Sequence, residues 1–125
     1  MQEDRIKALV EISALRFQAD QARLAQLHAK ERDLRKNLQD LVQQRNARVA
    51  SVIKADDPAT IAGADVQWHA WVDQRRKAIN TELAQILAQK SDCLARVKRS
   101  FGQDQAAQQL LKKVQLTQRR PRYES

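Results

Sequence analysis

The residues able to carry chemistry in this chain are few and widely spaced. The single cysteine, Cys93, has no second cysteine for a disulfide and no histidine at the spacing of metal ligands. The two histidines are His28 and His69, and we expect neither to have a carboxylate or cysteine partner at a useful helical spacing. The adjacent carboxylates Asp56 and Asp57 lack a third ligand nearby and precede a proline, as turn and capping residues do. We therefore expect no enzyme activity, no metal site and no cofactor.

Composition indicates which kind of scaffold positions these residues. The 125 residues include only 2 Gly and 2 Pro, which favours an all-α structure with little loop. Only 4% of the residues are aromatic, so a thick core with a deep catalytic pocket would be hard to build. No stretch reaches the roughly 18 apolar residues of a membrane span, and the N-terminus lacks the pattern of a signal peptide. We expect a cytoplasmic protein.

A coiled-coil seam organises the first half of the chain. Its apolar members follow alternating steps of three and four residues, as a heptad repeat requires. They are Leu24, Leu27, Leu34, Leu38 and Leu41. Glu31 is the one polar residue on this predicted seam, so we expect its partner to lie on the facing helix.

A second helical pattern supplies that facing helix. Its apolar residues are Val72, Ile79, Leu83, Ile86, Leu94, Val97 and Phe101. An antiparallel hairpin in which facing residue numbers add to about 121 matches apolar with apolar residues and places Glu31 opposite Lys90. A single buried polar match can fix the register of a coiled coil. The alternative is that both side chains extend to solvent at the edge of the seam.

Breaker residues predict where the two helices begin and end. We predict helix 1 over about residues 3–55, a connection over 56–64 and helix 2 over 65–118, followed by a basic tail over 119–125. Gly63 is the expected breaker and Asp65 the expected N-cap of helix 2, and Gly102 is expected to kink or end that helix. The fold class predicted is thus a long antiparallel two-helix coiled-coil hairpin. The predicted inward-facing residues of helix 2 recur every eleven residues, a spacing that predicts weak supercoiling.

The end of the hairpin that carries the chain termini is unusually apolar. Large side chains on several faces of helix 1 exceed what a two-helix seam can bury, so either the C-terminal segment wraps this end or a partner encloses it. The candidate residues here are Leu9, Ile12, Leu15, Phe101, Leu110 and Leu111. The net charge is +8, and +6 of it lies in residues 94–125, which suits an acidic partner, an anionic lipid or nucleic acid. No recognised motif selects nucleic acid.

A second candidate surface lies near the hairpin connection. It combines the only tryptophans with a group of arginines, and the predicted register places Arg45 opposite Arg76. Its residues are Arg45, Arg48, Trp68, Trp71 and Arg76. Trp68 is expected to pack on Ile53, whereas Trp71 has no apolar partner in this register and is expected to be a contact residue.

These features together resemble the flagellar export protein FliJ and its virulence-system relative YscO. The resemblance covers most of the chain and is carried by two long helices, by Gly63 shortly before Trp68 and Trp71, and by the Phe101-Gly102 pair before an Ala/Gln/Leu segment. Between Leu41 and Val49 this chain has no tyrosine at the positions where the family carries aromatic contact residues.

The resemblance implies a non-enzymatic stalk or adaptor in bacterial flagellum biogenesis or a related type III secretion system. In that family the two ends of the hairpin sit in the central pore of a hexameric export ATPase, and the exposed middle or tip touches the transmembrane export gate. Export chaperones are further partners that it implies. The alternative class is a free-standing coiled-coil scaffold or chaperone that dimerises and whose basic tail contacts nucleic acid.

Overall fold

The computed structural model describes residues 2–52 and 58–119, and the side chains of residues 2–49 and 62–119. Two helices account for these residues, α1 (Gln2–Val52) and α2 (Pro58–Arg119). They pack against each other as an antiparallel helical hairpin. The predicted all-α class and the two-helix hairpin are confirmed.

The second helix begins earlier than the sequence pattern predicts. It starts at Pro58, whose fixed φ suits the first helical turn and whose missing N–H would be unpaired there in any case. Gly63 and Asp65, predicted as breaker and N-cap, therefore lie inside the helix. The predicted end of helix 1 at residue 55, residues 56–57 of the predicted connection and residues 120–125 of the predicted tail fall outside the described residues, whereas Arg119 is the last residue of α2.

No break occurs at Gly102 either, because α2 continues through it to Arg119. A Cβ built at Gly102 meets no atom within 4 Å, so no close contact requires a glycine here. A glycine inside a helix costs only about 1 kcal/mol relative to alanine, which packing along a long helix readily offsets.

The hairpin divides into two compact units. Unit 1 combines α1 up to Gln26 with α2 from Lys90 onward, and unit 2 comprises Leu27–Gln89. Each unit contains a stretch of both helices and has its own seam.

The seam of unit 2 is apolar, as the leucine spacing predicts. Leu27 is 1% exposed and Leu41 is 6% exposed on α1. On α2 the buried residues are Val72, Ile79 and Leu83. Burial of each such side chain stabilises the fold by about 1.5 to 3 kcal/mol. The sum of 121 pairs Val42 with Ile79 and Leu34 with Leu87. Val42 and Leu87 are nevertheless exposed, because their neighbours Leu41 and Ile86 occupy the inward positions.

The seam of unit 1 contains small and polar residues that a search for large apolar side chains misses. On α2 the steps alternate between three and four residues from Cys93 to Val114, so the predicted eleven-residue steps are wrong. Leu94 and Phe101, which those steps placed inside, are exposed. The buried residues of this unit are Ile6, Ser13, Cys93, Ser100, Asp104 and Ala107.

Contacts within each unit show that the predicted register is displaced. A sum of 121 would place Phe17 opposite Asp104, yet its ring packs with Phe101, three residues earlier. In unit 2 it would place Arg48 opposite Asp73, yet Arg48 contacts Asp65 and Trp68, eight and five residues earlier. In both units the observed partner on α2 lies earlier in the chain than the predicted partner. Matching large apolar residues gave the wrong sum because Leu87, Leu94 and Phe101 lie outside the seam.

Glu31 occupies its expected seam position and is half-buried. Arg35 Nε, one turn later on α1, donates to Glu31 Oε2 at 3.1 Å. A neighbour on the same helix thus compensates part of the charge that the sequence pattern assigned to a facing residue. The pairing of Glu31 with Lys90 stays a prediction.

Candidate partner-binding surfaces

Large aliphatic side chains of α1 project to solvent in unit 1. Leu9 is 46% exposed, Ile12 60% and Leu15 65%. The seam of this stretch is already occupied by Ile6, Ser13 and their heptad neighbours, so these three residues have no inward position available. The predicted surplus of apolar residues at this end is therefore observed as exposed surface.

The α2 side of unit 1 adds further exposed apolar residues. Phe101 is about half exposed, and Leu110 and Leu116 project to solvent as well. Leu111 differs from them because it lies seven residues after the buried Asp104 and is half-buried on the seam. Leu111 therefore supports the hairpin, and Leu110 is the better candidate for a partner contact. We use the name apolar surface for Leu9, Ile12, Leu15, Phe101, Leu110 and Leu116.

An exposed tryptophan borders a shallow groove in unit 2. Trp71 is 52% exposed, as its position on a separate helical face predicts. The groove is lined by Asn37, Asp40, Leu41, Gln44, Trp71, Arg75 and Ile79. An indole at the edge of a groove with apolar, amide and charged groups suits contact with another protein.

Beside this groove, four side chains form a connected polar cluster. Asp65 Oδ1 lies 3.8 Å from Arg48 Nε, and Asp65 Oδ2 lies 3.2 Å from His69 Nε2. The Arg48 guanidinium stacks over the Trp68 ring at 5.1 Å from its centroid, an attractive cation–π geometry. The Trp68 ring also meets the His69 ring edge to face, with 5.3 Å between centroids. We use the name Arg48 cluster for Arg48, Asp65, Trp68 and His69.

Two expectations about the residues of the Arg48 cluster are wrong. His69 does have a carboxylate partner at a helical spacing, because Asp65 lies four residues before it on the same face of α2. Asp65 serves in this cluster and not as an N-cap, since α2 has already begun at Pro58. The expected contact of Trp68 with Ile53 lies outside the described residues.

Arg45 and Arg76 are both exposed. The neighbouring Gln44 shares its groove with Trp71 and Arg75, consistent with the displaced register of this unit. The predicted face-to-face placement of the two arginines rested on the sum of 121, which the contacts of Arg48 contradict. Both remain available as exposed cations on the unit that carries Trp71.

Within residues 2–52 and 58–119, no group of three or more His, Cys, Asp or Glu could hold a metal ion. The same residues include no helix long and apolar enough to cross a membrane. Cys93 is buried at a seam position, and its thiol donates to the carbonyl oxygen of Asp20 at 3.6 Å.

Two features went unrecognised in the sequence. Asp65 and His69 are four residues apart, the spacing of neighbours on one face of a helix. The sequence predicts this contact only if Asp65 lies inside the helix and not at its N-cap. No feature of the sequence predicts the burial of Asp104, because a lone aspartate between two glutamines is typical of a solvent-facing position.

Comparison of the chain with protein-family models, with curated proteins and with solved structures found no match.

Proposed function

We propose that this chain is a non-enzymatic stalk or adaptor of a flagellar or related type III export apparatus. The observation that carries the proposal is the row of Leu9, Ile12 and Leu15, which stay exposed on a helix whose seam is already filled. Exposed aliphatic side chains of this size on one compact unit mark a surface that another protein covers. The sequence resemblance implies that this protein is a hexameric export ATPase.

The second surface supports a second contact. Trp71 is exposed on unit 2, beside a groove and close in sequence to the Arg48 cluster. Tryptophan and arginine are the residue types that contribute most to binding at protein interfaces. In this proposal unit 1 engages the ATPase ring, and unit 2 engages the export gate or an export chaperone, in the cytoplasm.

A coiled-coil scaffold that dimerises is the alternative function. The same exposed row favours it, since two copies could cover each other's apolar surface. Sedimentation equilibrium of the purified chain separates the two proposals. A monomer with an uncovered apolar surface supports the stalk, and a stable dimer that Ile12→Asp dissociates supports the scaffold.

Pull-down of substituted chains against the ATPase and the gate domain tests the stalk directly. Leu9→Asp and Ile12→Asp should abolish ATPase binding, because each would bury a carboxylate in an apolar contact. Trp71→Ala and the double change Arg45→Glu, Arg76→Glu should spare it and weaken the gate contact. The charge reversal should have the larger effect at low salt, since exposed charges are screened over about 8 Å at physiological ionic strength.

Val66→Asp is the matched control, because it places a carboxylate at an exposed apolar position of unit 2. It should leave ATPase binding unchanged, and circular dichroism should show full helicity for every variant. If the unit 1 and unit 2 substitutions lose the same partner, or lose none, the two-surface stalk is wrong.

A further inference from the structure

A basic groove runs between the two helices of unit 1. It has a volume of about 220 Å³. Its lining residues are Arg16, Asp20, Arg96, Arg99, Ser100 and Gln103. Three arginine side chains therefore line a small space that α1 and α2 build together. We use the name arginine groove for this site.

The positive charge of the arginine groove is largely uncompensated. None of the three arginines forms an ion pair with a residue in the described ranges 2–52 and 58–119. Asp20 is the only carboxylate in the lining, which leaves a formal charge of about +2 for the groove. Guanidinium groups bind carboxylates in a bidentate manner, and several together define a site for acidic side chains.

Apolar residues continue the same face of unit 1 beyond the groove. Leu9 precedes Arg16 by seven residues, so both occupy the same heptad position beside the seam. Leu110 follows Gln103 by seven residues and extends the α2 side of the face in the same way. Both leucines are nearly half exposed. One face thus carries an exposed apolar pair next to three arginines that line one groove.

We propose that this face binds a protein segment that carries both apolar and acidic side chains. Its apolar residues cover Leu9 and Leu110, and its carboxylates enter the arginine groove and pair with Arg16, Arg96 and Arg99. An amphipathic helix laid along the face satisfies both requirements, since its side chains recur every three or four residues. The inference goes beyond the export role and stands without it, because it needs only the residues of unit 1.

A protein segment fits this face better than nucleic acid does. Single-stranded nucleic acid is bound through stacking on aromatic rings next to the cations that contact phosphate. The aromatic rings of unit 1 within the described residues, Phe17 and Phe101, pack on each other, and Phe101 lies on the opposite side of α2 from Gln103 by heptad position.

Selection from a phage-displayed library of random peptides tests the inference without assuming a partner. The bait is the full chain, and the counter-bait is the triple variant Arg16→Gln, Arg96→Gln, Arg99→Gln. The enriched peptides should contain Asp or Glu spaced three or four residues from Leu, Ile, Val or Phe. The best peptide, labelled with a fluorophore, is then titrated in its acidic form and in a form with Asn and Gln in place of Asp and Glu.

The triple arginine variant should bind the acidic peptide at least about tenfold more weakly than the full chain does, because charge-assisted hydrogen bonds are lost. The full chain should bind the neutral peptide more weakly by the same factor. Leu110→Ser should weaken binding of the acidic peptide as well. The triple control Arg32→Gln, Lys36→Gln, Lys77→Gln removes the same charge from exposed positions of unit 2 and should leave the affinity within about twofold.

Three results would overturn the inference. One is a library that yields no peptide preferring the full chain over the triple variant, and another is equal affinity for the acidic and the neutral peptide. The third is displacement of the peptide by oligothymidylate at a lower concentration than by unlabelled peptide, which would assign the groove to nucleic acid. A failed ATPase pull-down with intact acidic-peptide binding would remove the export role alone.

Discussion

The Phe17 ring packs against the Phe101 ring, with 5.5 Å between their centroids and an angle of 57° between their planes. This contact joins α1 to α2 within unit 1, and it helps to set the register there. Phe17 is half-buried, whereas Phe101 remains about half exposed, so the pair lies at the border between the seam and the apolar surface.

A double-mutant cycle measures what this ring pair contributes. Tilted aromatic pairs add about 0.5 to 1.5 kcal/mol beyond the burial of their area, so Phe17→Leu and Phe101→Leu should show a coupling of that size in urea unfolding. A second cycle that combines Phe17→Leu with the exposed Val66→Ala should be additive within about 0.5 kcal/mol. Additivity of the two phenylalanine changes would argue against the contact.

Asp104 is a buried carboxylate on the seam of unit 1. It is 6% exposed, its Oδ2 accepts from Gln108 Nε2 at 3.1 Å, and its Oδ1 has no hydrogen-bond partner among the described residues. Asp104→Leu replaces it with an apolar side chain of similar shape at a heptad position, and the free energy of unfolding should rise by about 1 to 3 kcal/mol.

Urea unfolding at neutral pH measures this change, with the exposed Asp73→Leu as its control. The control should alter the free energy of unfolding by less than about 0.5 kcal/mol, as surface substitutions do. A loss of stability in Asp104→Leu would mean that the carboxylate makes a favourable contact.

Gly102 lies in the interior of α2, and space is open where a Cβ would project. Gly102→Ala should raise the free energy of unfolding by about 0.5 to 1 kcal/mol, because alanine loses less conformational freedom on entering the helix. Gly102→Pro should lower it by about 3 kcal/mol through the lost hydrogen bond and a clash with the preceding turn. Thermal unfolding followed by circular dichroism records both, and a destabilised alanine variant would indicate that the helix bends at this residue.

Asp65 contacts both Arg48 and His69 in unit 2, so its neutralisation reports on the Arg48 cluster. Asp65→Asn should lower the free energy of unfolding by about 0.5 to 1 kcal/mol, the range for partly exposed ion pairs. The loss should shrink in 1 M NaCl, where the screening length is about 3 Å. Asp73→Asn, which removes an exposed carboxylate from the same helix, should change little in either salt. An effect of Asp65→Asn that is independent of salt would point to a packing role in place of an electrostatic one.

The part of the fold predicted from sequence rests on large aliphatic residues at helical spacing. Leu27 and Leu41 on α1, and Ile79 and Leu83 on α2, lie inside as predicted, because burying them is worth far more than any competing arrangement of those helices. The exposure of Leu9, Ile12 and Leu15 also followed from sequence, since one seam cannot bury three faces of a helix. The α1 side of the apolar surface was therefore predictable from sequence, whereas on α2 Leu111 is half-buried on the seam and Leu116 was not among the expected residues.

The register and the polar seam of unit 1 were decided only by the tertiary structure. Side chains such as Ser100, Asp104 and Ala107 carry no strong hydrophobic signal, yet they lie inside because the heptad geometry of α2 turns their positions toward α1. Phe101 has that signal and lies outside them, where Phe17 meets its ring. The arginine groove follows from the same register, because facing positions on two helices bring Arg16 to Arg96 and Arg99 across 80 residues of chain. The sequence by itself determined which helices form and which large residues they bury; the pairing of the two helices determined which small and charged residues meet.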